Sequence, residues 1–327
     1  MVSAAIAAWS KIGGVLSFAP GRTYDLGPID PPHPIFRLEG VSGGVIDGQG
    51  AELRCRTTGV GKTQMFLLRR CHGLSVRNLT ARDSGAVLNV DWQGMDFIHA
   101  DGSAGGQGGF VIENVTVVDA CSYFTASGLG AGRTERITVL KGHAERCYYG
   151  LNFQENGDTV FAQMSLHNCR RAYYPYGVRD HEVYLAISHD GRAPSANGCI
   201  LVARGLRDTQ SLKISARFSG RIPWTALARL EHKHPLVDGG AIADVTIEIA
   251  VSHDVALLGA PVAFALSASD NDLRPKISPG IWRNIALRGR LGPLSGHPVN
   301  VEAISAHSAS VTFLDLDTGL SRLVEAG

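Results

Sequence analysis

The chain has 327 residues, with 31 lysines and arginines against 30 acidic residues, and its formal net charge is +1. This balance gives no reason to expect nucleic acid or a membrane surface as a partner. The sequence contains no run near the roughly 18 apolar residues of a membrane-spanning helix, and its 44% hydrophobic content excludes a disordered chain.

The N-terminal stretch "AAIAAWSKIGG" predicts a short helix over residues 4–9, followed by a glycine turn. We expect residues 1–42 to form the cap and lead-in segment of a single domain that spans residues 1–327. No basic region precedes a long apolar run, so the sequence lacks the pattern of a secretory signal. If the chain is complete, a cytoplasmic location is expected.

Short alternating apolar runs then recur at intervals of a few tens of residues, and each is followed by turn residues. Such runs predict strands, and their repetition without long helices predicts stacked units that share one core. They begin at Leu74, Phe110, Arg136, Phe161, His181, Ser211, Asp244, Arg283 and Ala309.

The stretches "ERCYYGLNFQEN" and "RRAYYPYGVRDH" repeat a tyrosine pair at a 25-residue step. This step predicts that one coil of chain lies on the next. Strand alternation then turns Leu151 and Phe153 inward and Asn152 and Gln154 outward. The same step places Ile137 over Ala162 and Val139 over Met164, and it leaves Cys147 and Cys169 apart. The six cysteines form no Cys-x-x-Cys pair, and we interpret them as reduced core residues.

The N-terminal helix together with "GGVIDGQGAEL", which begins at Gly43, resembles the start of right-handed parallel β-helix proteins of the pectate-lyase-like superfamily. This resemblance implies an all-β, right-handed parallel β-helix, or solenoid, whose open end is closed by the short helix. The superfamily includes lyases, hydrolases, epimerases and phage tailspikes, so the resemblance implies no single activity.

The stretch "PYGVRDHEV", residues 175–183, is similar to the Tyr-Gly-Phe-Asp-Pro-His-Glu motif of mannuronan C5-epimerases. Tyr176, Gly177, His181 and Glu182 match the motif. Arg179 stands in the place of the motif's catalytic aspartate, and Asp180 replaces its proline. This departure puts the epimerase activity in doubt.

Proton abstraction beside a uronate carboxylate needs a cation, a base and an acid. Arg179 would neutralise the carboxylate, His181 would act as the base, and Tyr174, Tyr176 or Tyr149 could be the acid. Asp180 and Glu155 complete this predicted catalytic group. Four further residues are predicted to bind substrate beside it, namely Tyr149, Asn152, Gln154 and Tyr176. The structural alternative is that the tyrosines fill coil corners and that Arg179 pairs with a surface carboxylate.

Glycosidic hydrolysis needs two carboxyl groups instead, and the candidates are Asp91, Glu155, Asp180 and Glu231. The motifs of polygalacturonases are absent from the chain. A non-catalytic glycan-binding or tailspike-like module is the third reading. All three readings take an oligo- or polysaccharide as the partner, and they leave the oligomeric state open.

Two further clusters are candidate sugar contacts. Residues 89–109 interrupt the strand rhythm and predict a loop in which Asp91 and Trp92 bind substrate or the carboxylates bind calcium; the alternative is a solvated loop. In "RLEHKHP", residues 229–235, Arg229 and Glu231 lie outside if Leu230 is inside. No metal site and no cofactor are predicted, and calcium stays open.

Overall fold

The computed structural model describes residues 2–85, 93–128, 132–191, 198–232, 241–267, 281–296, 298–302 and 310–324. The chain divides into two compact units. Unit 1 comprises Met1–Asn152 and Asn156–Cys169, and unit 2 comprises Phe153–Glu155 and Arg170–Gly327.

Unit 1 begins with helix α1, Val2–Ile12, which is longer at both ends than the predicted helix. Its Ile6 and Trp9 are buried, and the Trp9 indole donates a hydrogen bond to the Gly14 carbonyl oxygen at 3.1 Å. A Cβ atom on Gly44 would lie 2.7 Å from the Trp9 ring, so the indole packs directly on the first coil. Within the described residues, no helix is long and apolar enough to cross a membrane.

The strands of unit 1 alternate between two sheets. They are β1 (Val15–Ser17), β2 (Thr23–Ile29), β3 (Phe36–Glu39), β4 (Ser42–Thr57), β5 (Lys62–Arg69), β6 (His72–Asp83), β7 (Gly94–Asp101), β8 (Gln107–Val118), β9 (Ser122–Ser127), β10 (Thr134–Glu145), β11 (Tyr149–Gln154, of which the last two residues belong to unit 2) and β12 (Asp158–His167). A short 3-10 helix, Gly102–Ala104, follows β7.

The first sheet of unit 1 has the order β1-β4-β6-β8-β10-β12, with β2 also on β4, and the second has the order β3-β5-β7-β9-β11. Strand β4 pairs in parallel with β6, β6 with β8, and β8 with β10. Each strand therefore pairs with the strand one coil away and not with its neighbour in sequence. This arrangement is a parallel β-helix and confirms the predicted fold class.

Unit 2 repeats the arrangement. Its strands are β13 (Arg171–Tyr176), β14 (Arg179–His189), β15 (Ile200–Arg204), β16 (Thr209–Ile222), β17 (Ala226–His232), β18 (Ala241–Val251), β19 (Ala256–Leu257), β20 (Val262–Ser267), β21 (Ile281–Arg290), β22 (Val299–Glu302), β23 (Val311–Asp315) and β24 (Ser321–Leu323). The first sheet runs β14-β16-β18-β21-β23-β24, with β19 on β16, and the second runs β13-β15-β17-β20-β22. A 3-10 helix, Gly292–Leu294, follows β21, and β23 and β24 form an antiparallel pair at the end of the first sheet.

Rows of residues in the left-handed backbone region mark the coil corners. Such a conformation is tolerated best by glycine, asparagine and aspartate, and it bends a strand locally. One row in unit 1 contains Gly43, Gly73, Gly109, Arg136 and Thr159, and one in unit 2 contains Asp180, Ser211, Asp244 and Asn284. In the second row the Asn284 side chain donates to the Asp244 carboxylate at 2.8 Å, so these two corner residues also bond to each other.

The inward face predicted for Leu151 and Phe153 is confirmed, because both side chains are completely buried. The predicted 25-residue register upstream is wrong: Ile137 pairs with Val160 and Val139 with Ala162, a step of 23 residues. A shift of two residues leaves each side chain on the same face of its strand. The predicted inward positions are therefore still correct.

The expected separation of Cys147 and Cys169 is also wrong. Both thiols are buried, and burial together with the neighbouring Cys169 thiol raises the pKa of Cys147. Each sulfur lies close to a carbonyl oxygen of the previous coil, 3.6 Å from Val117 for Cys147 and 3.5 Å from Ala144 for Cys169. All six cysteines are buried and none forms a disulfide in the described part of the chain, as expected for core residues.

Candidate functional site

The predicted centre around Arg179 and His181 does not form on the surface. His181 is 2% exposed and lies on the core face of β14. Its Nδ1 atom is 2.5 Å from the Tyr173 hydroxyl oxygen, and its ring packs edge-on against Phe153 at 4.9 Å. The assignment of His181 as a surface base was therefore wrong, because the corner at Asp180 resets the alternation of the strand.

Arg179 and Asp180 are surface residues, with side chains 48% and 54% exposed. The guanidinium Nε lies 3.9 Å from the Asp180 carboxylate, which agrees with the structural alternative of a surface pair. Asp180 has a φ of 61° and serves as a corner residue. Neither residue shares a face with His181.

Glu155 has a structural task that conflicts with its predicted catalytic role. Its carboxylate, in a residue only 7% exposed, accepts hydrogen bonds from the backbone amides of Leu206, at 2.5 Å, and Arg207, at 3.2 Å. A Cβ atom on Gly205 would lie 1.6 Å from Glu155 Oε1, and one on Gly177 would lie 2.2 Å from Oε2. The two glycines thus leave room for a carboxylate that holds the turn after β15.

The outer face of the second sheet in unit 2 brings four of the predicted residues together. The pairing of β13, β15 and β17 places Tyr174 in one row with Arg229 and Tyr176 in the next row with Glu231. The two tyrosine rings stack with centroids 5.9 Å apart and an interplanar angle of 28°. Arg229 Nε lies 3.4 Å from Glu231 Oε2. We call this set, Tyr174, Tyr176, Arg229 and Glu231, the tyrosine–glutamate face.

The prediction that Arg229 and Glu231 lie opposite Leu230 is consistent with the register, since Leu230 is fully buried on the core side. Both charged residues are nevertheless shielded, at 7% and 1% exposure. Arg171 adds a second cation to the face, with its guanidinium carbon 5.4 Å from the Tyr174 ring centroid. Charges held out of water on an outer face are costly to fold, and this cost is commonly accepted at functional sites.

A second polar cluster lies on the outer face of the second sheet in unit 1. Asp96 is fully buried, and its carboxylate lies 3.5 Å from Lys62 Nζ and 2.7 Å from the Ser122 hydroxyl. His99 Nδ1 is 3.4 Å from the other Asp96 oxygen, and His99 Nε2 is 2.7 Å from the Ser127 hydroxyl. We call the residues Lys62, Asp96, His99, Ser122 and Ser127 the aspartate–histidine cluster.

The charge state of Asp96 is set by opposing effects. Burial alone would raise the pKa of the carboxyl, but Lys62, His99 and the Ser122 hydroxyl outweigh burial and lower the pKa to about 2. Asp96 is therefore a carboxylate at every ordinary pH.

Two predicted substrate residues lie in unit 1 close to this cluster. Lys62 Nζ is 5.9 Å from the Tyr149 ring centroid, and Tyr149 packs on Tyr148 at 4.6 Å. Asn152, predicted to face outward, has its amide nitrogen 3.5 Å from the Thr125 hydroxyl and is fully buried. Gln154 is half-buried in unit 2, and Asp91 and Trp92 lie outside the described residues.

The expected loop over residues 89–109 is wrong for 94–101, which form strand β7, and for 107–109, where β8 begins. The polar residues Asp96 and His99 led to the prediction of a loop in place of strand β7. Sequence reasoning also passed over Lys62, Ser122 and Ser127. Strand β7 pairs with β9 at a step of 26 residues, which places Asp96 beside Ser122 and Asp101 beside Ser127. Superposing the sequence at this step is the signal that would have found the cluster.

Solved structures of GH87 α-1,3-glucanase catalytic domains align with the chain. A complex with tetrasaccharides matches at 12% identity and a TM-score of 0.46, over 93% of this chain and 66% of that chain. Two complexes with nigerose match at 13% identity, with TM-scores of 0.40 and 0.37, over 90% and 83% of this chain and 63% of each of those chains. This chain thus spans less than two thirds of the length of those it matches.

No protein-family model matches the chain, and no curated protein matches it.

Proposed function

We propose that the chain binds an extended glycan on the tyrosine–glutamate face of unit 2 and hydrolyses a glycosidic bond there. Glu231 is one of the two carboxyl groups that this reaction uses. The observation that carries the proposal is the shielded Arg229–Glu231 pair, 3.4 Å apart, which lies two strands away from the stacked rings of Tyr174 and Tyr176 in the same two rows.

The tyrosine pair suits a sugar because aromatic rings meet the apolar faces of pyranose rings while charged groups meet the hydroxyls. A carboxylate placed beside such a platform can activate water or attack the anomeric carbon, while the second carboxyl group, in its protonated form, donates a proton to the leaving oxygen. Arg229, whose Nε lies 3.4 Å from Glu231 Oε2, orients this carboxylate. The carboxylate and the aromatic rings that would bind the sugar thus lie on the same face of the sheet.

Hydrolysis is favoured over proton abstraction because the residue assigned as the base of a lyase or an epimerase is not at the surface. That role was assigned to His181, and His181 is in the core with Tyr173. The cation assigned to the substrate carboxylate, Arg179, lies exposed beside Asp180. A uronate-specific centre built from these residues is therefore not supported.

The test is a panel of polysaccharides that contains both neutral glucans, including α-1,3-glucan, and uronate-containing polymers. The proposal expects new reducing ends without the ultraviolet absorbance of an unsaturated uronate. Glu231→Gln should lower turnover by roughly 100-fold or more, the usual loss when a positioned acid–base group is removed.

Glu182→Gln is the matched control, because Glu182 is a partly exposed glutamate on the first sheet whose partner is Lys213 at 2.8 Å. It should retain normal turnover. Ultraviolet-absorbing products would show a lyase. Binding without any cleavage would show the glycan-binding module, and either result would overturn the proposal.

A further inference from the structure

The aspartate–histidine cluster of unit 1 contains a serine, a histidine and an aspartate in a chain of contacts. The Ser127 hydroxyl lies 2.7 Å from His99 Nε2, a hydrogen-bond distance. His99 Nδ1 faces an Asp96 oxygen at 3.4 Å, which is a charge contact longer than an ordinary hydrogen bond. In the described structure, neither His99 Nδ1 nor Asp96 Oδ2 has a hydrogen-bond partner. Catalytic hydrogen bonds are often long without substrate and shorten in the complex.

Asp96 is fixed in place at the far end of this chain. Its second oxygen accepts the Ser122 hydroxyl at 2.7 Å, and Lys62 lies 3.5 Å away on the same side. The residue is completely shielded from water. An ionised, shielded and anchored carboxylate is suited to orienting a histidine and stabilising its protonated form.

Ser127 occupies a fixed position at the other end. It is the last residue of β9, is half-buried, and precedes Gly128, whose φ of 124° is disfavoured for other residues. The buried Asn156 amide donates to the Gly128 carbonyl at 3.2 Å and to the Gly132 carbonyl at 3.3 Å. The backbone directly after Ser127 is therefore anchored.

We propose that Ser127, His99 and Asp96 form a hydrolytic triad that cleaves carboxylic esters of short acyl groups. Ser127 and His99 are the catalytic residues, and Asp96 is a positioning residue. The triad uses residues of unit 1 alone and is independent of the glycosidic reaction proposed for unit 2.

The reaction balances with water as the only co-reactant. The Ser127 oxygen attacks the ester carbonyl while His99 Nε2 takes the hydroxyl proton, and the collapsing tetrahedral intermediate expels the alcohol, which receives that proton. Water then attacks the acyl-serine with His99 again as the base. The acid is released, and the serine regains its proton.

The restricted surroundings favour a short acyl group. The His99 side chain is 19% exposed, and Thr125, which pairs with His99 across β7 and β9, is 2% exposed. Only a small part of the imidazole is open to a substrate. An acetyl ester fits this opening better than a long acyl chain.

The test uses the full chain with two probes, a fluorophosphonate that labels activated serines and p-nitrophenyl acetate. The proposal expects the fluorophosphonate on the peptide that contains Ser127, and a rate of ester hydrolysis that falls at least about 100-fold in Ser127→Ala and in His99→Ala. Absence of labelling in the folded protein, or labelling of a different serine, would overturn the proposal.

The chain provides a matched control in a second serine–histidine pair of unit 1. His143 Nδ1 lies 2.8 Å from the Ser165 hydroxyl, on the exposed side of the first sheet. Ser165→Ala should therefore keep both labelling and hydrolysis. Equal rates in the wild type, Ser127→Ala and Ser165→Ala would show that the observed hydrolysis does not use the triad.

Asp96→Asn tests the positioning role. An amide in place of the carboxylate loses the charge that stabilises protonated His99, so kcat should fall while KM changes little, and the pH at which the rate rises should move downward. Thermal unfolding of the variant checks that it is folded. A folded variant with an unaltered pH profile would contradict the role of Asp96.

Discussion

Tyr173 and His181 share a hydrogen bond of 2.5 Å inside the core of unit 2, where a surface base had been expected. The bond joins β13 of the second sheet to β14 of the first. Two polar atoms are thus satisfied between strands that otherwise contribute apolar side chains. A buried pair of this kind stabilises the fold only while both partners are present.

We predict that Tyr173→Phe lowers the free energy of unfolding by about 1–3 kcal/mol, because the buried His181 nitrogen loses this partner. Turnover of the folded fraction should be unchanged. Denaturant unfolding and activity assays measure both effects. Tyr184→Phe removes a hydroxyl bonded to Glu182 near the surface and should cost less. A folded Tyr173→Phe protein without activity would contradict this prediction and support a catalytic role for Tyr173 and His181.

The lowered pKa of Asp96 predicts how stability depends on pH. The pKa of this carboxyl is about 2 in the folded chain, below its ordinary value of 3.8, so its contribution to stability is complete above the higher value. This contribution is lost as the pH falls from about 4 to about 2. The difference in unfolding free energy between the wild type and Asp96→Asn should shrink over that window. A constant difference would show that Lys62 and His99 do not stabilise the charge.

Gly205 is predicted to be intolerant of a side chain. Its Cβ atom would lie 1.6 Å from the Glu155 carboxylate, which would have to leave the amides of Leu206 and Arg207. We expect Gly205→Ala to lower the free energy of unfolding by roughly 1–3 kcal/mol through loss of these bonds. Gly296→Ala is the control, because no described atom lies within 4 Å of the position that its Cβ would take. Equal stability of the two variants would show that the Glu155 carboxylate can move at little cost.

The packing of helix α1 on the first coil can also be tested. Trp9 is 4% exposed and packs on Gly44, so Trp9→Ala should lower the free energy of unfolding by about 3 kcal/mol and uncover the first coil. Deletion of residues 1–12 should lower thermal stability or solubility, because open sheet ends associate. Ile12→Ala, at an 84% exposed position of the same helix, should behave as the wild type. An unchanged deletion variant would show that a different element covers the coil.

The sequence was informative about the coils because inward positions follow a two-residue period. Leu151 and Phe153 are buried as the alternation predicts, although the predicted step between coils is 25 residues and β10 and β12 pair at steps of 23 and then 22. A register error of two residues does not change the face of a side chain. This tolerance explains why the buried positions are easier to predict than the residue pairs that lie next to each other in adjacent coils.

The site was harder to predict because corners interrupt the period. Arg179 and Asp180 are both exposed and His181 is buried, since the left-handed backbone at Asp180 breaks the alternation. Shielded outer faces added a second difficulty. Asp96 and His99 are polar residues of the kind found in loops, yet they lie in β7, and their serine partners are 26 and 28 residues away in the chain. The number of residues in each coil, and not a local sequence motif, brings these side chains together.

The row of corner residues has a bearing on how chains of this kind change in length. Asp180, Ser211, Asp244 and Asn284 each make the same bend in their own coil, using backbone geometry supplied by one residue. Duplication or loss of a whole coil would therefore carry its own corner with it and leave the bends of adjacent coils intact. Gene-level insertions and deletions should accordingly be accepted in whole-coil increments, whereas insertion or deletion of a single residue within a strand would turn the following outward side chains inward as far as the next corner or bulge.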